Sequence, residues 1–149
     1  MVEVIVIGPE HPCIRCITTQ RYAEEVAKEF PGKVTVRKIL TTSQEAKRYG
    51  QAEGGYEISV KENVAHDEEG IKRLLEEIEV LRKEEQKNWP LIEEKMQQIQ
   101  EKLKPIERKA QEKGYLMTPV LVVNGRVKSW GYVPTREKVK EWITEELSK

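Results

Sequence analysis

The sequence predicts an α/β protein in which a β-α-β-α segment and a β-β-α segment share a four-stranded mixed sheet, with a long α-helical hairpin inserted between them. Three observations predict this organisation. A β-branched apolar run opens the chain at Val2 to Ile7, an Asn124-Gly125 pair separates two apolar runs near the other end, and residues 67–113 repeat apolar positions at steps of three and four. The 149 residues suffice for one domain with a core of ordinary size.

The first strand and the first helix have the clearest signals. Val2 to Ile7 is apolar and β-branched and ends at Gly8-Pro9, which is typical of a strand buried on both faces. From Cys13 to Phe30, apolar residues recur at helical spacing until Pro31-Gly32 ends the segment. We therefore expect a buried strand whose end leads through a short loop into a helix.

A second strand and a short helix are predicted next. Lys33 to Leu40 alternates β-branched and polar residues, and Thr42 with Glu45 three residues later has the pattern of a capping box for a helix through Tyr49. Residues 51–66 contain two adjacent glycines followed by alternating apolar residues, which fits either an extra strand or an ordered loop.

The far end of the chain predicts a β-hairpin followed by a helix. Val120 to Val123 and Arg126 to Trp130 flank Asn124-Gly125, which suits the positive φ angles of a type I′ turn. Thr135 is a suitable N-cap for the last helix. Four apolar residues of that helix fall on one face: Val139, Trp142, Ile143 and Leu147.

The segment between these halves has the heptad pattern of a helical hairpin or coiled coil. Its two apolar series are Ile71, Leu74, Ile78 and Leu81, then Ile92, Met96, Ile99, Leu103, Ile106 and Ala110. Trp89-Pro90 separates them, which predicts two antiparallel helices with a turn near Asn88, and Pro105 should kink the second arm. A first arm from Asp67 to Asn88 would be about 33 Å long and is expected to project from the body.

Composition and charge exclude several classes of partner. Lys and Arg total 26 and Asp and Glu total 26, so the balance favours neither nucleic acid nor an anionic membrane surface as partner. No apolar run approaches the ~20 residues of a membrane span, and the N-terminal run has no pattern of a signal peptide. We expect a cytoplasmic protein, where two cysteines close in sequence are catalytic or metal-binding rather than a structural disulfide.

The sequence Cys13-Ile14-Arg15-Cys16 carries the strongest chemical signal. Its place after a strand and a short loop puts Cys13 at a helix N-terminus, where free backbone N–H groups and the helix dipole stabilise a thiolate, and Arg15 adds positive charge. Cys16 lies one turn further on the same side and is better shielded. Cys13 is thus the predicted nucleophile and Cys16 the resolving thiol, while His11 in the loop either assists the thiolate or has no role.

Metal binding is the alternative interpretation of the pair. His11 and His66 would complete a set of two cysteines and two histidines for zinc, although the two histidines lack the spacing of a zinc finger. Such a protein would be a metal-binding or protein-interaction module without redox turnover. A third interpretation makes the long hairpin the functional surface and the thiols vestigial.

The Thr118-Pro119 pair is the second candidate element. A proline immediately before a buried strand cannot donate to the sheet, and a cis bond there would turn the chain sharply into the strand. From the sequence alone, a trans proline at a sheet edge is the commoner case.

Both ends of the chain resemble one family. HPCIRC after a strand and TPVLVVNGRVKSWGYVPTREKVKEWI at the end look like the small thioredoxin/glutaredoxin-like proteins known as redox-active disulfide proteins. The resemblance covers residues 1–50 and 114–149, as a thioredoxin-like domain, and leaves 51–113 as an inserted segment. It implies a thioredoxin-like fold and a disulfide oxidoreductase whose dithiol reduces or exchanges disulfides of a protein or small-molecule partner.

The resemblance also assigns roles to residues. It implies that Pro119 is cis and faces the pair, so that Cys13, Cys16 and Pro119 are catalytic, and that the Thr118 backbone pairs with a substrate chain. His11, Pro12 and Arg15 are expected to be auxiliary. No metal or cofactor is expected, and a reductase is the expected electron donor.

The inserted hairpin has three possible roles. It lies before the proline loop and would serve as a lid or substrate platform, or it folds back on the core for stability alone. Alternatively, apolar residues outside its seam would form a homodimer: Leu75, Val80, Trp89 and Leu91.

Overall fold

The computed structural model describes residues 1–11 and 13–149. Its strands are β1 (Val2–Gly8), β2 (Val34–Leu40), β3 (Gln51–Glu53), β4 (Tyr115–Met117), β5 (Val120–Val123) and β6 (Arg126–Trp130). Its helices are α1 (Ile14–Ala27), α2 (Gln44–Lys47), α3 (Gly55–Lys61), α4 (Glu68–Leu81), α5 (Glu85–Lys102), α6 (Lys104–Lys113) and α7 (Arg136–Leu147). Pro12 lies outside the described residues.

The predicted four-stranded mixed sheet is confirmed. Its strand order is β2-β1-β5-β6, with β1 parallel to β2 and antiparallel to β5. Asn124 and Gly125 form the turn between β5 and β6 with φ angles of 47° and 78°, as the sequence predicts. The Asn124 side chain also accepts a hydrogen bond of 2.8 Å from the Glu3 backbone, which ties the turn to β1.

Both faces of β1 are buried. Successive side chains of a strand point to opposite faces, and each face of β1 packs in a cluster of its own. Val4 and Val6 pack in one cluster with residues of α1 and α7, including Ala23 and Ile143. Ile7 packs on the other face with residues of β5, α2 and β3. The strand that leads to the cysteines is therefore fixed on every side.

The inserted helices form an antiparallel pair. Lys95 on α5 contacts Glu77 on α4 at 2.8 Å, and Lys102 contacts Asp67 at 2.6 Å, so the residues pair in opposite directions. The turn is a 3₁₀ segment at Arg82–Glu84, earlier than the predicted turn near Asn88.

Asn88 and Pro90 show why the predicted turn position is wrong. Asn88 donates from its side chain to the Leu81 carbonyl at 3.0 Å, which satisfies a carbonyl at the C-terminal end of α4. Pro90 then lies inside α5, in its second turn, so the helix continues through the proline without the backbone hydrogen bond that another residue would donate there. Pro105, by contrast, interrupts the second arm as predicted, since α5 ends at Lys102 and α6 begins at Lys104.

The hairpin does not project from the body, contrary to the expectation from its length. Its buried residues, among them Ile78, Ile92 and Ile106, form one cluster with Ile14 of α1 and Met117 of β4. The apolar stripe is thus shared between the two arms and the end of the sheet domain, and packing there removes its apolar side chains from water.

Residues 51–66 form a short strand and a helix. β3 pairs with β4 in parallel, and the alternating residues that suggested a strand lie in α3, where Ile58 is buried while Tyr56 and Val60 are exposed. The predicted cap of α2 is also wrong by one residue. Ser43, not Thr42, accepts the hydrogen bond from the Ala46 backbone, and α2 ends at Lys47.

None of the helices in residues 1–11 and 13–149 is long and apolar enough to cross a membrane.

Candidate functional site

Cys13 is the N-cap of α1. Its backbone is extended (φ −131°, ψ 115°), and its sulfur accepts a hydrogen bond from the Cys16 backbone N–H at 3.4 Å. Cys13 is partly exposed, whereas Cys16 is fully buried, and both are free thiols in this structure. The local sequence places the first thiol where a helix offers unpaired N–H groups and the second inside the protein.

Gly8 allows the end of β1 to lie against the inner thiol. A Cβ atom built at this position would lie 3.2 Å from the Cys16 sulfur, closer than most side chains approach one another. Glycine at the end of the strand therefore leaves the space that the buried thiol occupies.

The two thiols have opposite shifts in pKa. The pKa of Cys13 is lowered to about 6, chiefly by a hydrogen bond from the Cys16 side chain and also by the Arg15 charge and backbone N–H groups, against the effect of burial. The same thiol–thiol hydrogen bond, together with burial and the charge on Cys13, raises the pKa of Cys16. A pKa of about 6 favours the thiolate form of Cys13 at neutral pH, whereas the raised pKa of Cys16 favours its protonated form.

Arg15 connects the cysteine helix to three other parts of the chain. Its guanidinium is buried and donates to the Thr118 carbonyl at 3.1 Å, to the Gly131 carbonyl at 2.8 Å and to the Gln100 side chain at 3.1 Å. Gln100, on α5, also donates to Gly131 at 2.6 Å. Arg15 is thus a positioning residue between α1, the proline loop and the inserted helices, in addition to a nearby positive charge.

The Thr118-Pro119 bond is cis, as the family resemblance implies. Pro119 is buried, and its carbonyl accepts a hydrogen bond from Gly131 at 3.0 Å. The Thr118 N–H donates to the Glu53 carbonyl at 3.0 Å, while the Thr118 carbonyl accepts from Arg15. Both backbone groups expected to pair with a substrate chain thus have partners within this protein.

A cavity of about 390 Å³ opens beside Cys13. It brings together most of the candidate residues, because its walls include His11, Cys13, Arg15, Thr118 and His66. Within residues 1–11 and 13–149, no three His, Cys, Asp or Glu side chains come close enough together to hold a metal ion. Pro12, expected to be auxiliary, lies outside the described residues.

Sequence reasoning missed the groups that complete the site from a distance. Gln100 lies 85 positions from Arg15, at a polar position of the α5 pattern that gives no sign of an inward role. Glu53 accepts a hydrogen bond from Thr118 through its backbone carbonyl, and the type of its side chain does not predict such a contact. The one available signal was the adjacent pair of glycines after Glu53, which indicates close approach of backbone but not its partner.

Comparison with known proteins identifies the fold. A family model described as a thioredoxin domain matches residues 77–144. The match includes the cis Thr118-Pro119 bond, the β5–β6 hairpin and most of α7, which pack on the sheet that carries the cysteine helix. The fold is thioredoxin-like. No curated protein and no solved structure matches the chain significantly.

The thioredoxin-like match has an unexpected extent. It begins within α4 and covers α5 and α6, although the resemblance had placed these helices in an inserted segment, and it does not reach Cys13 or Cys16. In this thioredoxin-like protein, the cysteine pair is connected to the matched part by the mixed sheet and by Arg15. A nearby pair of thiols in such a fold is compatible with redox function.

Proposed function

We propose that this protein is a thiol–disulfide oxidoreductase with Cys13 as nucleophile and Cys16 as resolving thiol. The asymmetry of the pair carries the proposal, since the pKa of the partly exposed thiol is lowered to about 6 while that of the buried thiol is raised. A thiolate is the attacking species in disulfide exchange, and a neighbouring protonated thiol can resolve the product. The cis Pro119 loop beside Arg15 supports the assignment.

The proposed cycle has two exchange steps. The Cys13 thiolate attacks one sulfur of a substrate disulfide, so a mixed disulfide forms and the first substrate thiolate leaves. Cys16 then loses its proton and attacks the Cys13 sulfur, which releases the second substrate thiolate and forms the Cys13–Cys16 disulfide. The reverse sequence would oxidise a dithiol, and a reductase is the proposed donor that restores the reduced pair.

Trapping of the mixed disulfide tests this proposal. Cys16→Ser removes the resolving thiol, so a covalent complex between Cys13 and half of a disulfide substrate should accumulate and disappear on reduction. Intact mass spectrometry measures it, with Cys13→Ser and the double variant as controls that should form none. A Cys16→Ser protein that accumulates no adduct with any disulfide at neutral pH would contradict the mechanism.

Metal analysis addresses the alternative of a zinc-binding module. The reduced protein should contain no stoichiometric zinc after mild chelation, and its alkylation by iodoacetamide should be unchanged by added zinc. Zinc that resists chelation and protects both Cys13 and Cys16 would replace redox exchange by metal binding as the function.

We also propose a cellular compartment from the cysteines and an oligomeric state from exposed apolar side chains. A cytoplasmic location suits a protein whose only two cysteines are free thiols at a reactive site. A homodimer through the inserted helices is supported by the exposed side chains of Val80 and Leu91, whereas Trp89 packs against Tyr22 with ring centroids 6.4 Å apart. The mass in solution of the wild type and of Leu91→Glu tests the dimer.

A further inference from the structure

The cavity beside Cys13 has a mainly apolar wall that the inserted helices supply. α1 contributes Ile14, and the inserted helices contribute five further apolar residues: Ile71, Leu75, Ile99, Leu103 and Ile106. Only Leu75 among these five is substantially exposed, at 41%, and it lies on α4 at the cavity. Apolar walls with a few polar groups around a reactive atom are typical of small-molecule sites.

The backbone contacts beside this cavity disfavour a polypeptide as its occupant. An extended peptide binds a sheet edge through main-chain hydrogen bonds, which need unpaired N–H and C=O groups. Here the Thr118 N–H already donates to Glu53, and the Thr118 carbonyl already accepts from the Arg15 guanidinium. A substrate chain would have to displace β3 from this edge before it could pair with Thr118.

The size and charge of the cavity indicate what fits. A volume of about 390 Å³ lies within the roughly 300–1,000 Å³ range of small-molecule pockets. Its charged residues are of both signs, with Lys72 facing the same space as Glu57 and Glu68, so the rim favours no net charge on a ligand. His66 uses one ring nitrogen to donate to the Val64 carbonyl at 3.1 Å, which leaves the other for a ligand.

We propose that this cavity binds small-molecule disulfides with uncharged, largely apolar substituents and presents one of their sulfurs to Cys13. The inference rests on the proposed function and names its substrate class. One disulfide and the Cys13/Cys16 dithiol give two substrate thiols and the Cys13–Cys16 disulfide. Two electrons pass to the substrate, Cys16 gives up its proton during the exchange while the Cys13 thiolate has already released its own to solvent, and each leaving thiolate takes up one proton.

A pair of matched variants on α4 tests the cavity. Leu75→Glu places a charge in the apolar wall, whereas Val80→Glu places the same charge on the same helix at a residue that is 64% exposed and outside the cavity. Leu75→Met keeps the wall apolar. Stopped-flow rates of the reduced proteins are measured with 2,2′-dithiodipyridine as the apolar probe and bis(2-hydroxyethyl) disulfide as the polar probe.

Leu75→Glu should lower the rate ratio of the apolar to the polar probe about tenfold, because the apolar contact of Leu75 with a bound probe is replaced by a charge. Val80→Glu and Leu75→Met should change the ratio less than twofold, and alkylation by iodoacetamide should stay equal in all four proteins. Wild-type protein should also react faster with 2,2′-dithiodipyridine than with insulin disulfides, when each rate is divided by that of dithiothreitol.

The outcomes separate the two levels of the proposal. Equal probe ratios in wild type and Leu75→Glu, or a preference for insulin after normalisation, would overturn the cavity assignment while leaving disulfide exchange intact. Absence of any adduct between Cys16→Ser and either probe would overturn the proposed function and the substrate class with it.

Discussion

The Arg15 guanidinium donates a hydrogen bond of 3.1 Å to the Thr118 carbonyl, so a residue between the two cysteines fixes the loop of the cis proline. The same side chain reaches Gly131 and, on the inserted helix α5, Gln100. The Thr118-Pro119 loop is thus held by a residue whose position in the sequence suggests only a role in charge.

Replacing Arg15 should separate these two roles. Arg15→Lys keeps a positive charge but cannot reach three acceptors at once, so it should leave buried carbonyls unsatisfied and lower the free energy of unfolding by about 2–3 kcal/mol. Arg15→Met should lose as much stability and, in addition, raise the pKa of Cys13, because the charge is gone.

Urea unfolding and the pH dependence of alkylation measure the two effects. Arg108→Lys, at an exposed position, is the matched control and should change stability by less than about 0.5 kcal/mol. A fully stable Arg15→Lys protein would show that the network does not hold the loop.

The low pKa of Cys13 should depend on the donor at position 16. Cys16→Ala removes the side-chain hydrogen bond that lowers the pKa most, so the pKa of Cys13 should rise from about 6 toward its ordinary value. Cys16→Ser keeps a donor and should give a smaller rise. Rates of iodoacetamide alkylation from pH 4 to 10 give both values, and identical pKa values in the two variants would contradict the hydrogen bond as the cause.

How far the sequence predicts the structure depends on how local each cause is. The turn at Asn124-Gly125, the cap at Thr135 and the helix N-terminus at Cys13 follow from neighbouring residues, and each is found where the sequence predicts it. The burial of β1 follows from composition alone, since a run of β-branched apolar residues fits a strand covered on both faces.

The wrong predictions concern elements whose structure depends on contacts between residues far apart in the sequence. Tyr56 to Val60 alternates as a strand would, but burial of Ile58 in the cluster under the inserted helices selects a helix. The position of the hairpin turn depends on Asn88, whose side chain satisfies the end of α4. In the site, the Arg15 guanidinium donates to the Gly131 carbonyl although the two residues are 116 positions apart, and no local sequence pattern predicts such a contact.

The reduced protein should gain stability with rising pH because of Cys13. Its pKa is about 6 when folded and 9.0 ordinarily, so the folded state binds fewer protons between these values and stability rises with pH across that window. The stabilisation is fully present above pH 9 and is lost as the pH falls through 6.

Comparison with Cys13→Ser measures this contribution. The difference in free energy of unfolding between wild type and variant should grow by roughly 2–4 kcal/mol from pH 6 to 9, both kept reduced. Groups that do not interact with Cys13 titrate alike in both proteins and cancel in the difference, and a difference that stays constant with pH would show that the folded thiol is not acidic.

The packing of the inserted helices on the body gives the last prediction. Ile92 is fully buried in the cluster that also contains Ile14, whereas its neighbour Leu91 is 50% exposed on the same helix. Ile92→Ala should therefore lower the free energy of unfolding by about 2–5 kcal/mol, and Leu91→Ala by no more than about 0.5 kcal/mol. Both variants should unfold in a single transition when followed by circular dichroism and by tryptophan fluorescence. If the hairpin instead unfolded separately, Ile92→Ala would produce an early second transition and leave the main midpoint unchanged, because the cluster would not connect it to the cysteine helix.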